Sequence, residues 1–414
     1  MRKIITRSLL VCILSFSFLK VFDAQLYACT SAIISGKATA DGRPILWKHR
    51  DSDFEENKLM HFSGGKYDYT GIVNSKDAEG KEIWMGSNSA GFSIMNTASY
   101  NLNQGEKIGV PDDQEGLLIK AALAECATVQ DFENFLKRGK GKWGISANFG
   151  VIDAKGGAAY FETGYYSFTK YDVNDPMVAP NGYLLRTNYS FSGVKNKGYG
   201  YVRYLTAEEL FYWNNIKNNI SVEFILRDAD RSLRHSLLKT DLYNAPLPED
   251  SSSYAFIPFR DYIVRNSSVS TMIIQGVKAG EDPKLTTLWT VLGFQMTTLV
   301  VPVWVASGDK LPEVLVAHEG KTAPINEKSL VLKRKCFPIE YDNGKDYLNL
   351  AVLLNKKGSG IAQKLLPKEA EIVQRTGKLL GVMRSNGFDS QSVSEHYKWL
   401  DTYVLDTYKS QFGI

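Results

Sequence analysis

The sequence predicts an α+β fold in which mainly antiparallel sheets are covered by helices. Three observations carry this. Short alternating runs occur in pairs joined by brief Gly-containing turns, as in hairpins. Helical spacing is confined to a few stretches set between and after those pairs, so strand and helix do not alternate regularly along the chain. No Pro/Gly/Ser-rich linker and no internal repeat divides the chain after the leader, so residues 29–414 read as one domain.

In chain order, residues 1–28 read as an export leader. Arg2, Lys3 and Arg7 form a basic start, Ser8 to Leu19 an apolar run, and Ala28 a small residue at a cleavage point. An apolar run of about a dozen residues is too short to cross a bilayer as a helix, which takes about 20. The expectation is an exported, periplasmic or extracellular protein with no integral membrane segment. "TSAIISG" and "RPILWKHRD" are two strands joined by "KATADG", and "EIWMGSNSAGFSIMNTAS" repeats the pattern. Gln114 to Leu136 reads as helix, "ANFGVIDAKGGAAYFETG" as a hairpin, and "GYLLRTNYS" as a strand ending in a polar turn. Helical spacing returns from Ala207 to about Leu238, most clearly in "SVEFILRDADRSLRHSLL". Strands resume in "SSVSTMIIQG", "LTTLWTVLG" and "PVWVASG", and Lys368 to Ser385 and Ser392 to Phe412 read as two amphipathic helices.

Composition narrows the function classes. With 44% hydrophobic and 23% charged residues the chain is globular rather than disordered. The leader carries four basic residues and one acidic one, so its removal lowers the formal charge from +4 to +1 and leaves no electrostatic case for nucleic acid as a partner. Cys12 leaves with it. Cys29, Cys126 and Cys336 remain, an odd count that argues against a disulfide framework. Cys126 sits at helical apolar spacing and reads as a small buried hydrophobe, whereas Cys336, in "LKRKCFP", is undecided and the basic run around it reads as solvated surface. The five histidines show no i, i+4 pairing of the kind that holds a metal, His49 reads as strand surface or pocket wall, and "GSGIAQKLLP" is a turn without a phosphate-loop lysine. No metal or cofactor is expected.

Cys29 is the residue with chemistry in it. Cleavage after Ala28 would put a thiol and a free α-amine on one residue, and an amine with a reference pKa near ~7.7 can take the thiol proton. The strand "WKHRDSDF" would return beside it, with Arg50 stabilising a thiolate and Asp53 holding the amine, although a surface ion pair is the plainer reading of those two residues by composition. Cleavage could also fall earlier, after Ala24, leaving Gln25 to Ala28 as a propeptide for self-removal. A different class also starts at Cys29: "LYAC" approximates a lipobox, whose cysteine would be lipidated and anchor a binding protein.

Cys29, Thr30, Arg50 and Asp53 resemble the first motif of the choloylglycine hydrolase group of N-terminal nucleophile hydrolases, also called linear amide C-N hydrolases. That group includes bile salt hydrolases, penicillin V acylases, the acid ceramidase type and acyltransferases of the isopenicillin N type. "NSAGFSIMN", "NFGVIDAKGGAAYFE", "LLRTNYSFSG" and "GYGYVRYL" are similar to later segments of the group, so the resemblance spans roughly residues 29 to 310. It implies a four-layer αββα sandwich, oxyanion donors at Asn188 and Asn96, and Arg203 as an active-site support. It also implies hydrolysis of a non-peptide amide such as a conjugated bile acid or penicillin V through a thioester, or acyl transfer from the same intermediate. The partner is then a small N-acyl amide, its acyl group housed in an apolar, aromatic-lined pocket, and the protein a dimer or tetramer.

Overall fold

The described residues open with a hairpin that the sequence dictates locally. In the computed structural model, which describes residues 28–317 and 321–414, strand β1 (Cys29–Ile34) pairs antiparallel with β2 (Ile45–Asp51). The register sets Cys29 opposite Arg50 and Ser31 opposite Lys48. Of the expected export leader only Ala28 lies within the described residues. No helix among the described residues is long and apolar enough to cross a membrane.

β3 (Asn57–Phe62), β4 (Tyr69–Asn74), β5 (Met85–Asn88), β6 (Ser93–Ala98), β7 (Ala147–Ile152), β8 (Ala158–Thr163) and β9 (Phe168–Asp172) form a seven-stranded antiparallel sheet in chain order. The other large sheet has six strands in the order β10-β1-β2-β11-β12-β13, with β10 at Tyr183–Arg186, β11 at Ser268–Gln275, β12 at Thr287–Leu292 and β13 at Val301–Trp304. All its pairings are antiparallel.

The two sheets lie face to face. Ile33 of β1 reaches Gly150 of β7, where any side chain would collide with it, and the Ser31 hydroxyl meets the Tyr160 phenol of β8 at 2.9 Å. Because strand side chains alternate, Ala32 and Trp47 point the other way, and Trp47 stacks on Phe211 of helix α3 (Tyr201–Ile216) with ring centroids 5.9 Å apart. Helices α1 (Glu115–Glu125) and α2 (Val129–Arg138) cover the outer face of the seven-stranded sheet through a core centred on Phe132, Phe149 and Phe161. α4 (Pro324–Cys336), α5 (Ile361–Asn386) and α6 (Ser390–Phe412) join α3 over the six-stranded sheet. The result is the four-layer αββα order.

Three segments depart from the sequence reading. Gln114 to Leu136 is two helices, because Cys126 is extended (φ −88°, ψ 143°) and Thr128 starts a new helix through a capping box with Asp131. The stretch to Leu238 is helical to Ile216 and again over 222–229, with a break at 217–221; beyond it Asp230 and Arg231 are drawn into buried polar contacts instead of continuing a helix. "LKRKC" closes α4 and is solvated only in part: Arg334 and Lys335 are exposed, but Lys333 is buried against Glu55, and Cys336 lies in the core, where burial pushes its thiol up to about 12. Cys126 is buried as expected, and the three described cysteines are all free.

Candidate active site around Cys29

Strand periodicity builds one wall of the site. Cys29, Lys48 and Arg50 share the face of the hairpin that looks toward the second sheet, and all three line a cavity of about 70 Å³. The Arg50 guanidinium is held there by Asn57 Oδ1 at 2.7 Å and Asn74 Oδ1 at 3.0 Å, and lies 4.7 Å from the centre of the Trp84 ring. Fixed in this way, it supplies positive potential beside the thiol. Asn96, on β6, lines the same cavity.

The main chain of Cys29 is gripped from the far side. Its N–H donates to Asn188 Oδ1 at 2.7 Å, across 159 residues of sequence. Its carbonyl accepts from Arg203, 174 residues away, whose guanidinium also donates to Thr30 Oγ1 (2.9 Å) and Asn188 Oδ1 (2.8 Å). Arg203 is buried in the first turn of α3. Desolvation lowers its pKa to about 9, so it remains a cation at neutral pH. Gly200 makes room for it: with φ +86°, a Cβ there would lie 2.4 Å from the Arg203 guanidinium.

The six residues singled out in the sequence thus divide. Cys29, Arg50 and Asn96 share the small cavity. Asn188 and Arg203 touch the Cys29 backbone. The Asn188 Nδ2, expected to serve an oxyanion, donates to the Ala98 carbonyl at 3.0 Å. Asp53, expected at the Cys29 nitrogen, is solvent-exposed, and that nitrogen is bound by Asn188 instead. Asp53 lies on the wall of a second cavity of about 740 Å³ that also holds Ala28 and Arg203. Ser52 lines both cavities.

The pocket beside the thiol has Phe54 and Trp84 in its wall, as an aromatic lining requires, but it is also rich in charge. Glu82, Asp113 and Glu115 line it together with Lys48 and Arg50. Burial raises the Glu115 carboxyl well above the usual range, although it accepts the Ser146 N–H, and nearby Asp113 adds to the rise. Burial lowers the Lys48 ammonium to about 8 against the opposing pull of Cys29. Lys48 was legible in principle: in "WKHRD" it has the same strand parity as Arg50. The three carboxylates come from a loop and a helix start, with no pattern to tie them to Cys29.

His49 is neither strand surface nor pocket wall. It is fully buried on the outer face of its sheet, with Nδ1 2.8 Å from Asp230 Oδ1 and Nε2 2.7 Å from Ser268 Oγ. This is the hydrogen-bond order of a serine-hydrolase triad, but Ser268, His49 and Asp230 are each 0% exposed. Trp47 and Thr271 also donate to Asp230. With no substrate able to reach it, the network joins β2 and β11 to the segment after α3 and is structural. Among the described residues no group of three or more His, Cys, Asp or Glu could hold a metal.

No family model matches the sequence, and no curated protein matches it. Among solved structures, the chain is similar to an N-acylethanolamine-hydrolyzing acid amidase ortholog of Caenorhabditis elegans at 15% identity and a TM-score of 0.38, over 60% of this chain and 92% of that one. A penicillin V acylase from Agrobacterium tumefaciens aligns at 14% identity and a TM-score of 0.39, over 67% of this chain and 86% of that one. A mutant conjugated bile acid hydrolase from Clostridium perfringens aligns at 11% and 0.39, over 70% and 95%. These are loose likenesses of chain path.

Proposed function

We propose that the chain is an amide hydrolase whose nucleophile is Cys29, activated when cleavage after Ala28 exposes its α-amine. The observation that carries this reading is the treatment of one residue at a strand start. Its nitrogen and carbonyl are both held by buried polar side chains from distant segments, while its side chain lines a cavity beside two cations. A residue needed only for packing does not require that degree of fixation. Ala28 lies in the larger cavity, so an amine freed at Cys29 would face the space walled by Asp53.

The chemistry follows from those groups. The Cys29 thiolate adds to an amide carbonyl carbon, forming the S–C bond, and N–H donors receive the oxyanion. The C–N bond then breaks, and the leaving amine takes a proton from the α-ammonium. Water, losing its proton to the same amine, hydrolyses the thioester to the free acid and restores the thiol. An amine in place of water would give acyl transfer.

The 70 Å³ cavity has no space for a steroid or for the diacylglyceryl group of a lipoprotein. Any bulky part of an N-acyl substrate would then extend toward the 740 Å³ cavity, which shares Ser52 with the smaller one. The test is to determine the mass of the mature N-terminus and run a panel of N-acyl amides, bile acid conjugates and penicillin V included, against wild type and Cys29→Ser. A bare Cys29 terminus and turnover reduced by orders of magnitude in Cys29→Ser are expected. Equal turnover in both proteins would remove Cys29 from the mechanism.

A further inference from the structure

Lys48 is 1% exposed, and its ammonium donates to the Trp84 carbonyl at 2.9 Å and to Asn96 Oδ1 at 2.8 Å. A lysine ammonium has donors only, so it can meet just one end of the Asn96 amide, and the other end is thereby turned away from it. Asn96 Nδ2 has no partner among the described residues, and Asn96 lines the cavity that holds Cys29. The Asn188 amide, by contrast, has both ends occupied by Cys29, Arg203 and Ala98. Of the two asparagines at the site, Asn96 alone offers an open N–H.

We propose that Lys48 is a positioning residue: its ammonium fixes the Asn96 amide with Nδ2 facing the cavity, so that Asn96 donates to the oxyanion formed when Cys29 adds to an acyl carbonyl. The inference rests on the reading of Cys29 as nucleophile. It also explains why a lysine is buried between the sheets, where burial alone would favour an apolar residue. The charged groups around it are Cys29 on β1, Arg50 and Asp51 on β2, and Glu115, Glu82 and Asp113 across the cavity. Burial lowers its pKa to about 8. Above that pH a neutral amine can accept as well as donate, and the amide loses its fixed orientation.

The experiment uses mature protein and p-nitrophenyl acetate as the acyl probe, with the first-turnover burst as the acylation rate. Alkylation by iodoacetamide reports thiol reactivity without forming an oxyanion. Asn96→Ala is expected to lower the acylation rate, normalised to alkylation, by about 10²-fold, the effect of losing one oxyanion donor. Lys48→Met is expected to lower the same ratio at least tenfold, and the double variant no further than Asn96→Ala alone. The wild-type ratio should also fall above about pH 8, and Lys48→Arg, which stays charged, should hold it there. Independent, multiplying effects of the two substitutions, or an unchanged ratio in Lys48→Met, would overturn the role given to Lys48 while leaving Cys29 in place. If Lys48→Met does not fold, the pH profile of Lys48→Arg decides alone, and a fall matching wild type overturns the proposal. A wild type that is neither acylated nor alkylated at Cys29 would instead defeat the underlying reading.

Discussion

Replacing Glu162 by alanine tests what holds the Asn188 segment in place. Glu162 lies on β8, with its side chain 0% exposed, and accepts from Arg186 Nε at 2.7 Å, where the Arg186 side chain is 1% exposed at the end of β10. It also accepts the N–H groups of Phe191 (2.9 Å) and Ser192 (2.7 Å) and the Ser192 hydroxyl. One carboxylate therefore ties the two sheets together and secures the turn that follows Asn188. Arg186 is further enclosed by the rings of Phe191, Tyr171 and Tyr160, at 4.0, 4.9 and 5.1 Å. Without Glu162 its charge has no carboxylate and no route to water, a situation that costs about 3–5 kcal/mol. For a chain of this length the unfolding entropy is about 0.9 kcal/mol per kelvin, so the midpoint of a thermal melt should fall by about 3–6 °C. Adding Arg186→Met removes the stranded charge, and the double variant should recover most of the loss. A Glu162→Ala protein melting within about 1 °C of wild type, or a double variant melting below the single one, would refute the reasoning.

Two other substitutions probe the site. Glu115→Gln should become more stable relative to wild type as pH rises from 5 to 8. Because the folded protein holds the Glu115 proton more tightly than the unfolded chain does, that group's contribution is complete below the ordinary carboxylate range and is lost as pH rises through its raised value. Urea midpoints at the two pH values measure this, and a relative shift in the opposite direction would contradict the assigned direction. Gly200→Ala should cost about 1–2 kcal/mol in backbone strain at φ +86°, and its methyl group should push Arg203 off the Cys29 carbonyl. The expected result is a lowered melt together with slower acylation of Cys29; acylation at the wild-type rate would show that Arg203 is not needed to hold that carbonyl.

Part of the site was legible because it is local. Alternation in "TSAIISG" and "RPILWKHRD" implied a hairpin returning Arg50 to Cys29, and the register places them opposite each other. The covering helices near the C-terminus follow from their own periodicity. By contrast, Asp53 lies just past the end of β2, where alternation no longer constrains the side chain, and it faces solvent. The break at Cys126 was hidden because apolar spacing continues across it, although Thr128 and Asp131 were a readable start signal.

By itself, then, the sequence determined the strand and helix pattern, the hairpin pairing and the placing of a cysteine at the start of a strand, all consequences of backbone periodicity and turn chemistry within a few dozen residues. Only the tertiary structure decided that Asn188 and Arg203 grip that cysteine's backbone, that Lys48 meets Asn96, that carboxylates line the pocket, and that a Ser-His-Asp relay is sealed in the core. Those contacts depend on how two sheets and their helices close over one another. Burial and hydrogen-bond satisfaction are set there between residues far apart in the chain, and no local periodicity carries that information.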